Sequence, residues 1–273
     1  MAGHGGYPAA VAVTPLPGLR QAVAMFTSAP LPASWHRHAT PADGRAAVRW
    51  LPAIGAALGA LAGLVAAAAL AVDGRATLLA AVLGIAALAC GTRGLHLDGL
   101  ADTADGLGSR RPPAEALQVM RQSDIGPFGV LALVLVVLVD VAALARIGAD
   151  GVWCCTAALA VAAATGRLAV LHATTPGVPA ARTGGFGALV AGATAPALCA
   201  VATVIVLAGG AGVAALTPHA SVIAWPCAQV GALLLARLFR WHAARRFRGV
   251  TGDVFGALIE LTTAVTLIGV ALS

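Results

Sequence analysis

The sequence predicts an all-α fold: a polytopic integral membrane helical bundle of about seven transmembrane helices, with six to eight compatible. Three observations predict it. The 273 residues are 59% hydrophobic and only 10% charged, with a mean hydropathy of +0.89, whereas a soluble domain carries about 25% charged residues. Apolar runs close to the ~20 residues that cross a bilayer recur at 51–72, 76–92, 126–145, 152–171, 187–208, 219–237 and 254–272. Arginine-rich and arginine-poor loops alternate between those runs.

Residues 1–50 read as a Pro-punctuated cytoplasmic or interfacial lead-in, with polar "SWHRHATPADGR" at 34–45 and Trp35 and Trp50 suited to a membrane interface. Pro15, Pro17, Pro30 and Pro32 interrupt it, and no charged start precedes an apolar core, so it is not read as a signal peptide. Residues 51–273 read as one transmembrane domain without an internal repeat. Its second run is short, its fifth and sixth contain Pro196 and Pro226, and 210–218 blurs into its neighbours.

All seventeen basic residues are Arg. With the N-terminus inside, Arg20, Arg37, Arg45, Arg49, Arg93, Arg110, Arg111, Arg121, Arg167, Arg182, Arg237, Arg240, Arg245, Arg246 and Arg248 fall on the cytoplasmic side. Arg75 and Arg146 remain outside. Such a positive-inside bias predicts a multi-pass protein of a bacterial cytoplasmic (inner) membrane, with every polar cluster of interest facing the cytoplasm. It also explains the net charge of +6 without a nucleic-acid partner. Cys90, Cys154, Cys155, Cys199 and Cys227 lie in apolar stretches and read as small apolar residues, neither disulfides nor metal ligands.

"GLHLDGLADTADGLGS" (94–109) gathers Asp98, Asp102 and Asp105 at i, i+4 and i+7. On a helix they fall within roughly a 60° arc. A like-charged face of that kind repels itself unless a cation sits there, and hard oxygen ligands suit Mg²⁺ or Ca²⁺. Gly99, Gly106 and Gly108 are expected to let a ligand approach the backbone. His96 projects away from the carboxylates, and suits packing or hydrogen bonding better than metal ligation.

Downstream, "VMRQSDIGPFG" (119–129) supplies Arg121, Ser123 and Asp124, the last placed to cap the third span. "TGRLAVLHATTPGVPAARTGGFG" (165–187) adds Arg167, His172 and Arg182, and arginine is the usual fork-shaped clamp for phosphate. Arg246 belongs to the basic loop before "TGDVFGALIEL", where Thr251, Gly252 and Asp253 offer backbone donors and a carboxylate at a helix start. Glu260 and Asp140 are ionisable residues within spans and so functional candidates. Asp140 is left without a role, facing either Arg146 or a polar groove. An acidic cluster for metal beside arginines for anions suits phosphoryl transfer from a diphosphate-bearing substrate.

On these motifs the sequence resembles the cobalamin synthase family, the adenosylcobinamide-GDP ribazoletransferases. "GLHLDGLADTADG" carries the resemblance, and "FTSAPLP" (26–32), "LPAIGAALG" (51–59), "VMRQSDIGPFG" and "TGDVFGALIEL" follow the family's order of motifs. Ser28, Gln122, Asp124 and Thr263 depart from its commonest residues. The resemblance implies an Mg²⁺ enzyme of late vitamin B12 assembly, with the lipid bilayer as surroundings. It joins adenosylcobinamide-GDP to α-ribazole or its 5′-phosphate and releases GMP. It further implies Asp98, Asp102 and Asp105 as metal ligands, and one of these or Asp253 as the acceptor of the ribazole proton. Arg121, Arg167 and Arg246 are implied at the GDP phosphates, with His96, Ser123, Thr251, Gly252 and Glu260 among the substrate contacts. A homo-oligomer, or association with other cobalamin-assembly enzymes, is compatible with it.

Two other readings are weighed. "DTADGLGSR" (102–110) nearly matches the D-x-x-D-G-x-x-A-R start of CDP-alcohol phosphotransferases, but position 119 is Val and the required second pair of aspartates does not follow. A transporter would use Asp140 and Glu260 on an ion path, but no inverted repeat is present and the polar residues gather at one face.

Overall fold

The structure, a computed structural model, describes residues 18–31 and 40–273; Trp35 and Arg37 lie outside the described residues. Among these, every regular element is helical, and a single parallel bridge joins Ala180 to Val250. Five helices are long and apolar enough to cross a membrane by length and composition, or six if one sharply bent pair counts as a span.

The lead-in is partly helical. α1 (Leu19–Phe26) turns Ala22 and Phe26 into the core. α2 (Pro41–Ala47) begins with a capping box between Thr40 and Asp43 and runs through a 3₁₀ turn, Val48–Trp50, into α3 (Leu51–Val72).

The bundle is organised around α8 (Cys154–Ala173), which has 83% of its most apolar stretch buried. α3 reaches it through Gly55, Gly59 and Gly63, one small residue per turn. A Cβ built on Gly59 would lie 2.1 Å from the Leu159 carbonyl oxygen, and one on Gly63 2.3 Å from Thr156 Cα. Inside a bilayer, helix association rests on such close packing and on interhelical hydrogen bonds. Gln229 of α11 (Ala224–Phe247) supplies the latter, donating from Nε2 to Thr165 Oγ1 at 2.9 Å and to the Val206 carbonyl at 3.3 Å. α7 (Pro127–Gly148) and α10 (Pro196–Leu216) lie outermost, and their exposed Leu131, Leu135, Leu138, Val201, Val204 and Ile205 suit a lipid-facing surface.

The expected spans map onto α3, α4 (Thr77–Gly91), α7, α8, α10, α11 and α12 (Gly252–Ala271), with two corrections. The fifth starts at Pro196 and not at 187. Residues 186–190 form the separate short helix α9 (Phe186–Val190), Gly192 turns the chain at φ +69°, and Pro196 begins α10 at its first turn, where a missing N–H costs nothing. Pro226 likewise lies in the first turn of α11. The count of seven is also lower by composition. α4 has only 15 residues, and α11 carries Arg237, Arg240, Arg245 and Arg246 in its second half.

α4 turns into α5 (Leu95–Gly108) through an 89° bend, made by the consecutive left-handed residues Arg93 (φ +57°) and Gly94 (φ +69°). α5 therefore runs across the ends of its neighbours. A short helix, α6 (Pro113–Val119), then leads back to α7.

Replacing Gly59 with Val forces a side chain into the Leu159 backbone, so we expect a loss of at least about 1–3 kcal/mol, seen as a lower detergent-solubilised melting temperature. Gly231→Ala, where the added Cβ meets nothing within 4 Å, should leave it nearly unchanged.

Candidate functional site

Two glycines set the site. Gly99 of α5 and Gly256 of α12 cross at backbone contact: a Cβ on Gly99 would lie 2.7 Å from the Asp253 carbonyl oxygen, and one on Gly256 2.9 Å from that of His96. The crossing brings Asp98 and Asp102 of α5 beside Asp253 in the first turn of α12. Asp102 lies within electrostatic reach of Asp98, Asp253 and Asp105, and Asp253 within reach of Asp98. Neither Asp98 nor Asp102 has a hydrogen-bond or ion-pair partner among the described residues.

The three aspartates of α5 do not share one environment. Asp98 is exposed, Asp102 half-buried and Asp105 buried. Asp105 Oδ2 accepts from Gly126 N at 2.7 Å and Oδ1 from Gly129 N at 2.9 Å, so its carboxylate caps the start of α7 from a neighbouring helix. That corrects its expected place beside Asp98 and Asp102 as a metal ligand. It also displaces Asp124 from the capping role; Asp124 instead lies 3.4 Å from Ser123 Oγ in an exposed turn. The glycines expected to admit a ligand serve packing. Gly99 meets α12, Gly106 meets Met120 and Phe247, and Gly108 meets the Phe128 ring.

A cavity of about 370 Å³ opens at this crossing. Asp98, Arg182, Thr251, Gly252 and Asp253 line its polar part, and Gly184, Gly185 and Gly187 form one wall. Thr251 caps α12, donating to Asp253 Oδ2 at 3.2 Å and accepting from Val254 N at 3.2 Å. The 179–187 segment is held against that start by Ala181 N to the Val250 carbonyl and Val250 N to the Pro179 carbonyl, both 2.9 Å. This clasp brings Arg182 to 3.5 Å from Asp253 Oδ2, while its other amino group donates to the Leu117 carbonyl at 2.9 Å. Burial lowers the pKa of the Arg182 guanidinium; Asp253 and Asp102 oppose that, and the nearby Arg121 adds to it. Arg121 is thus an exposed cation within electrostatic reach of Arg182 and Asp253.

The other expected contacts lie elsewhere. Arg167 is only 2% exposed and sits inside the bundle, donating to His96 Nδ1 at 3.2 Å and interacting with Glu260, so it does not line the cavity. Arg246 donates to the Arg111 carbonyl in the α5–α6 turn. Ser123 is exposed and absent from the cavity wall. Asp140 faces inward within reach of Glu260, while Arg146 pairs with Asp150 at 2.8 Å. Of the arginines that 165–187 supplies, Arg182 and not Arg167 reaches the cavity, and Gly184, Gly185 and Gly187, which no expectation singled out, line it; "ARTGGFG" sits in a loop where an anion can reach them.

Hard carboxylate oxygens from Asp98, Asp102 and Asp253 fit a divalent cation. Among the described residues no three His, Cys, Asp or Glu side chains form a ready cage, but Mg²⁺ takes one or two carboxylates and completes its shell with phosphate and water.

Asp105→Asn leaves one of the two α7 N–H groups facing an amide NH₂, so we expect about 1–3 kcal/mol of destabilisation. Thermal unfolding in detergent should show it, while Asp98→Asn at an exposed site leaves the melting temperature nearly unchanged.

The comparisons with known proteins bear on the family. A sequence profile described as cobalamin-5-phosphate synthase matches residues 18–271. An adenosylcobinamide-GDP ribazoletransferase of Frankia casuarinae is 42% identical, covering 93% of this chain and 94% of its own. Enzymes of the same name from Brevibacillus brevis (32% identical; 90% and 94% covered) and Nocardioides (40% identical; 68% and 70% covered) are also similar. No solved structure matches. With a profile match over almost the whole chain and relatives at this identity, the chain belongs to the cobalamin-5-phosphate synthase family.

Proposed function

We propose that this protein is an Mg²⁺-dependent adenosylcobinamide-GDP ribazoletransferase of the bacterial inner membrane, with the α5–α12 cavity opening to the cytoplasm. The observation that carries the reading is the meeting of Asp98, Asp102, Asp253 and Arg182 at one helix crossing. A transfer from a diphosphate needs charge neutralised and geometry held more than it needs covalent help.

In this reading the hydroxyl of α-ribazole, or of its 5′-phosphate, attacks the phosphorus that bears the cobinamide. The bond from that phosphorus to the GMP oxygen breaks, and the hydroxyl proton passes to a carboxylate. Asp102 and Asp253 are the candidates, one as base and one as ligand. Arg182 grips the diphosphate through its guanidinium, steadied by the Leu117 carbonyl, and Arg121 steers the anion toward it. Asp98 and its neighbours would hold Mg²⁺, which supplies neutralisation of the phosphate charge as it shifts toward GMP. Thr251 holds the Asp253 carboxylate in place.

Purified protein given adenosylcobinamide-GDP, α-ribazole and Mg²⁺ should release GMP in step with corrinoid product, and EDTA should abolish both. Asp102→Asn, Asp253→Asn and Arg182→Lys should each lower kcat by about 10²–10³ with folding intact. Turnover persisting in EDTA and in Asp102→Asn would exclude the metal role.

A further inference from the structure

The chain has no acidic residue between Asp150 and Asp253, so α8, α10 and α11 pack together without contributing a carboxylate. Polar side chains from all three are nonetheless bonded at one level. His172, at the end of α8, lies 3.0 Å from Thr203 Oγ1 of α10 through Nε2, and Arg240 Nη1 of α11 donates to the His172 carbonyl at 2.7 Å. The Thr203 hydroxyl donates to the Cys199 carbonyl at 2.8 Å, so it accepts from His172 Nε2–H. The bonds from Gln229 to Thr165 and to the Val206 carbonyl mark a second level, deeper in the bundle. Between the two levels α10 runs antiparallel to α8 and α11.

A groove of about 280 Å³ opens among these helices. Arg237, Arg240, His172 and Thr203 line it, together with Leu207, Val230 and Leu234. Chain order grades it. Val230 and Leu234 precede the two arginines on α11, and Leu207 follows Thr203 by one turn on the antiparallel α10. The apolar side chains therefore lie toward the Gln229 level and the cations at the other end. Val230 is 41% and Leu234 58% exposed, so the groove opens on the outer face of the bundle. It shares no lining residue with the α5–α12 cavity, which α8 reaches through Val170.

Its cations lack counter-charge. Arg237 makes no side-chain hydrogen bond or ion pair among the described residues. Arg240 uses one of its five N–H donors on the His172 carbonyl. No carboxylate among the described residues acts on Arg240 or His172; the charges that do act are Arg237 and Arg240 themselves. Arg237 stands ten residues before the end of α11, about 15 Å along its axis, between the exposed Leu234, Leu235 and Leu238. Trp241, one turn further on and 53% exposed, suits the membrane interface. A topological anchor can sit beyond that belt, as Arg248 does at the helix end. Two guanidiniums within it, side by side on an apolar surface, are costly unless an anion joins them.

We propose that this groove binds one anionic phospholipid, with Arg237 and Arg240 holding its phosphate and an acyl chain lying along Leu207, Val230 and Leu234. The assignment stands apart from the transferase reading. Charge complementarity selects the headgroup, since the groove offers two cations and no acid. The exposed apolar wall selects a lipid over a free anion, which would gain nothing from it. Arg245 marks the contrast: it stacks on Trp241 at 4.0 Å and does not line the groove.

Native mass spectrometry of the detergent-purified chain reads the first lipid bound, with phosphatidylglycerol and phosphatidylcholine of the same acyl chains as probes. Wild type should hold phosphatidylglycerol about tenfold more tightly. Arg237→Gln removes an exposed side chain without bonds of its own, and should lower that affinity about tenfold, close to the phosphatidylcholine value. Arg245→Gln removes the same charge from the same helix outside the groove, and should change it less than about twofold. Millimolar inorganic phosphate and adenosylcobinamide-GDP should both leave the lipid in place.

Equal affinity of the wild type for the two lipids overturns the assignment, and does so without any variant having to fold. Equal losses in Arg237→Gln and Arg245→Gln would mean diffuse attraction to a basic end of the bundle, and overturn it too. Displacement by inorganic phosphate makes the groove a free-ion site, and displacement by adenosylcobinamide-GDP makes it part of the substrate site; either result sinks the lipid assignment.

Discussion

The backbone contact between Gly99 and Gly256 governs the rest of the site. Aspartate side chains are short, so carboxylates on two helices can share a ligand only where the helix axes come unusually close. At this crossing a single added methyl group would collide with the Asp253 carbonyl or the His96 carbonyl. The bend at Arg93 and Gly94 aims α5 at that crossing, and the Asp105 carboxylate fixes its far end to the start of α7. α5 is thus held at both ends and in the middle. Asp98 and Asp102, which make no side-chain bonds of their own, are positioned by their helix.

The same arrangement explains how charges can exist deep in so apolar a bundle. Arg167, His96 and Glu260 come from α8, α5 and α12, and Asp140 from α7 adds a second acid near Glu260. Ionisable groups at bilayer depth are costly unless they face the bundle interior and one another. Their mutual contacts tie α5 to the spanning helices beneath the cavity.

Much of this was legible in the chain, and the remainder failed for identifiable reasons. Apolar runs located α3, α7, α8 and α12 closely, because lipid demands long uninterrupted helices. The start of α10 was missed by nine residues since 187–195 is as apolar as a span, and only Gly192 and Pro196 mark the break. The spacing of Asp98, Asp102 and Asp105 marked one acidic face of α5, but spacing is blind to Gly126 and Gly129, which reach Asp105 from more than twenty residues away. Arg167 and Arg182 are chemically identical in sequence. Their separation was nonetheless available: Arg167 falls inside an apolar run and Arg182 in a glycine-rich loop, where an anion can approach.

That last distinction follows from a general constraint. In hydrocarbon every backbone N–H and C=O must be paired within the protein, so irregular chain is confined to the water-accessible ends of a bundle or to its shielded interior. A phosphate clamp needs irregular chain, because helical N–H groups beyond the first turn are already engaged. The 179–187 segment meets both demands. It lies at the start of α12, its polar backbone is paired with Val250, and its glycines leave Arg182 beside Asp253. The α12 N-terminus, the cross-running α5 and this clasp converge only at one end of the bundle. A diphosphate, as the proposed reaction requires, would meet charged side chains and free helix N–H groups at that end and nowhere along the apolar helices.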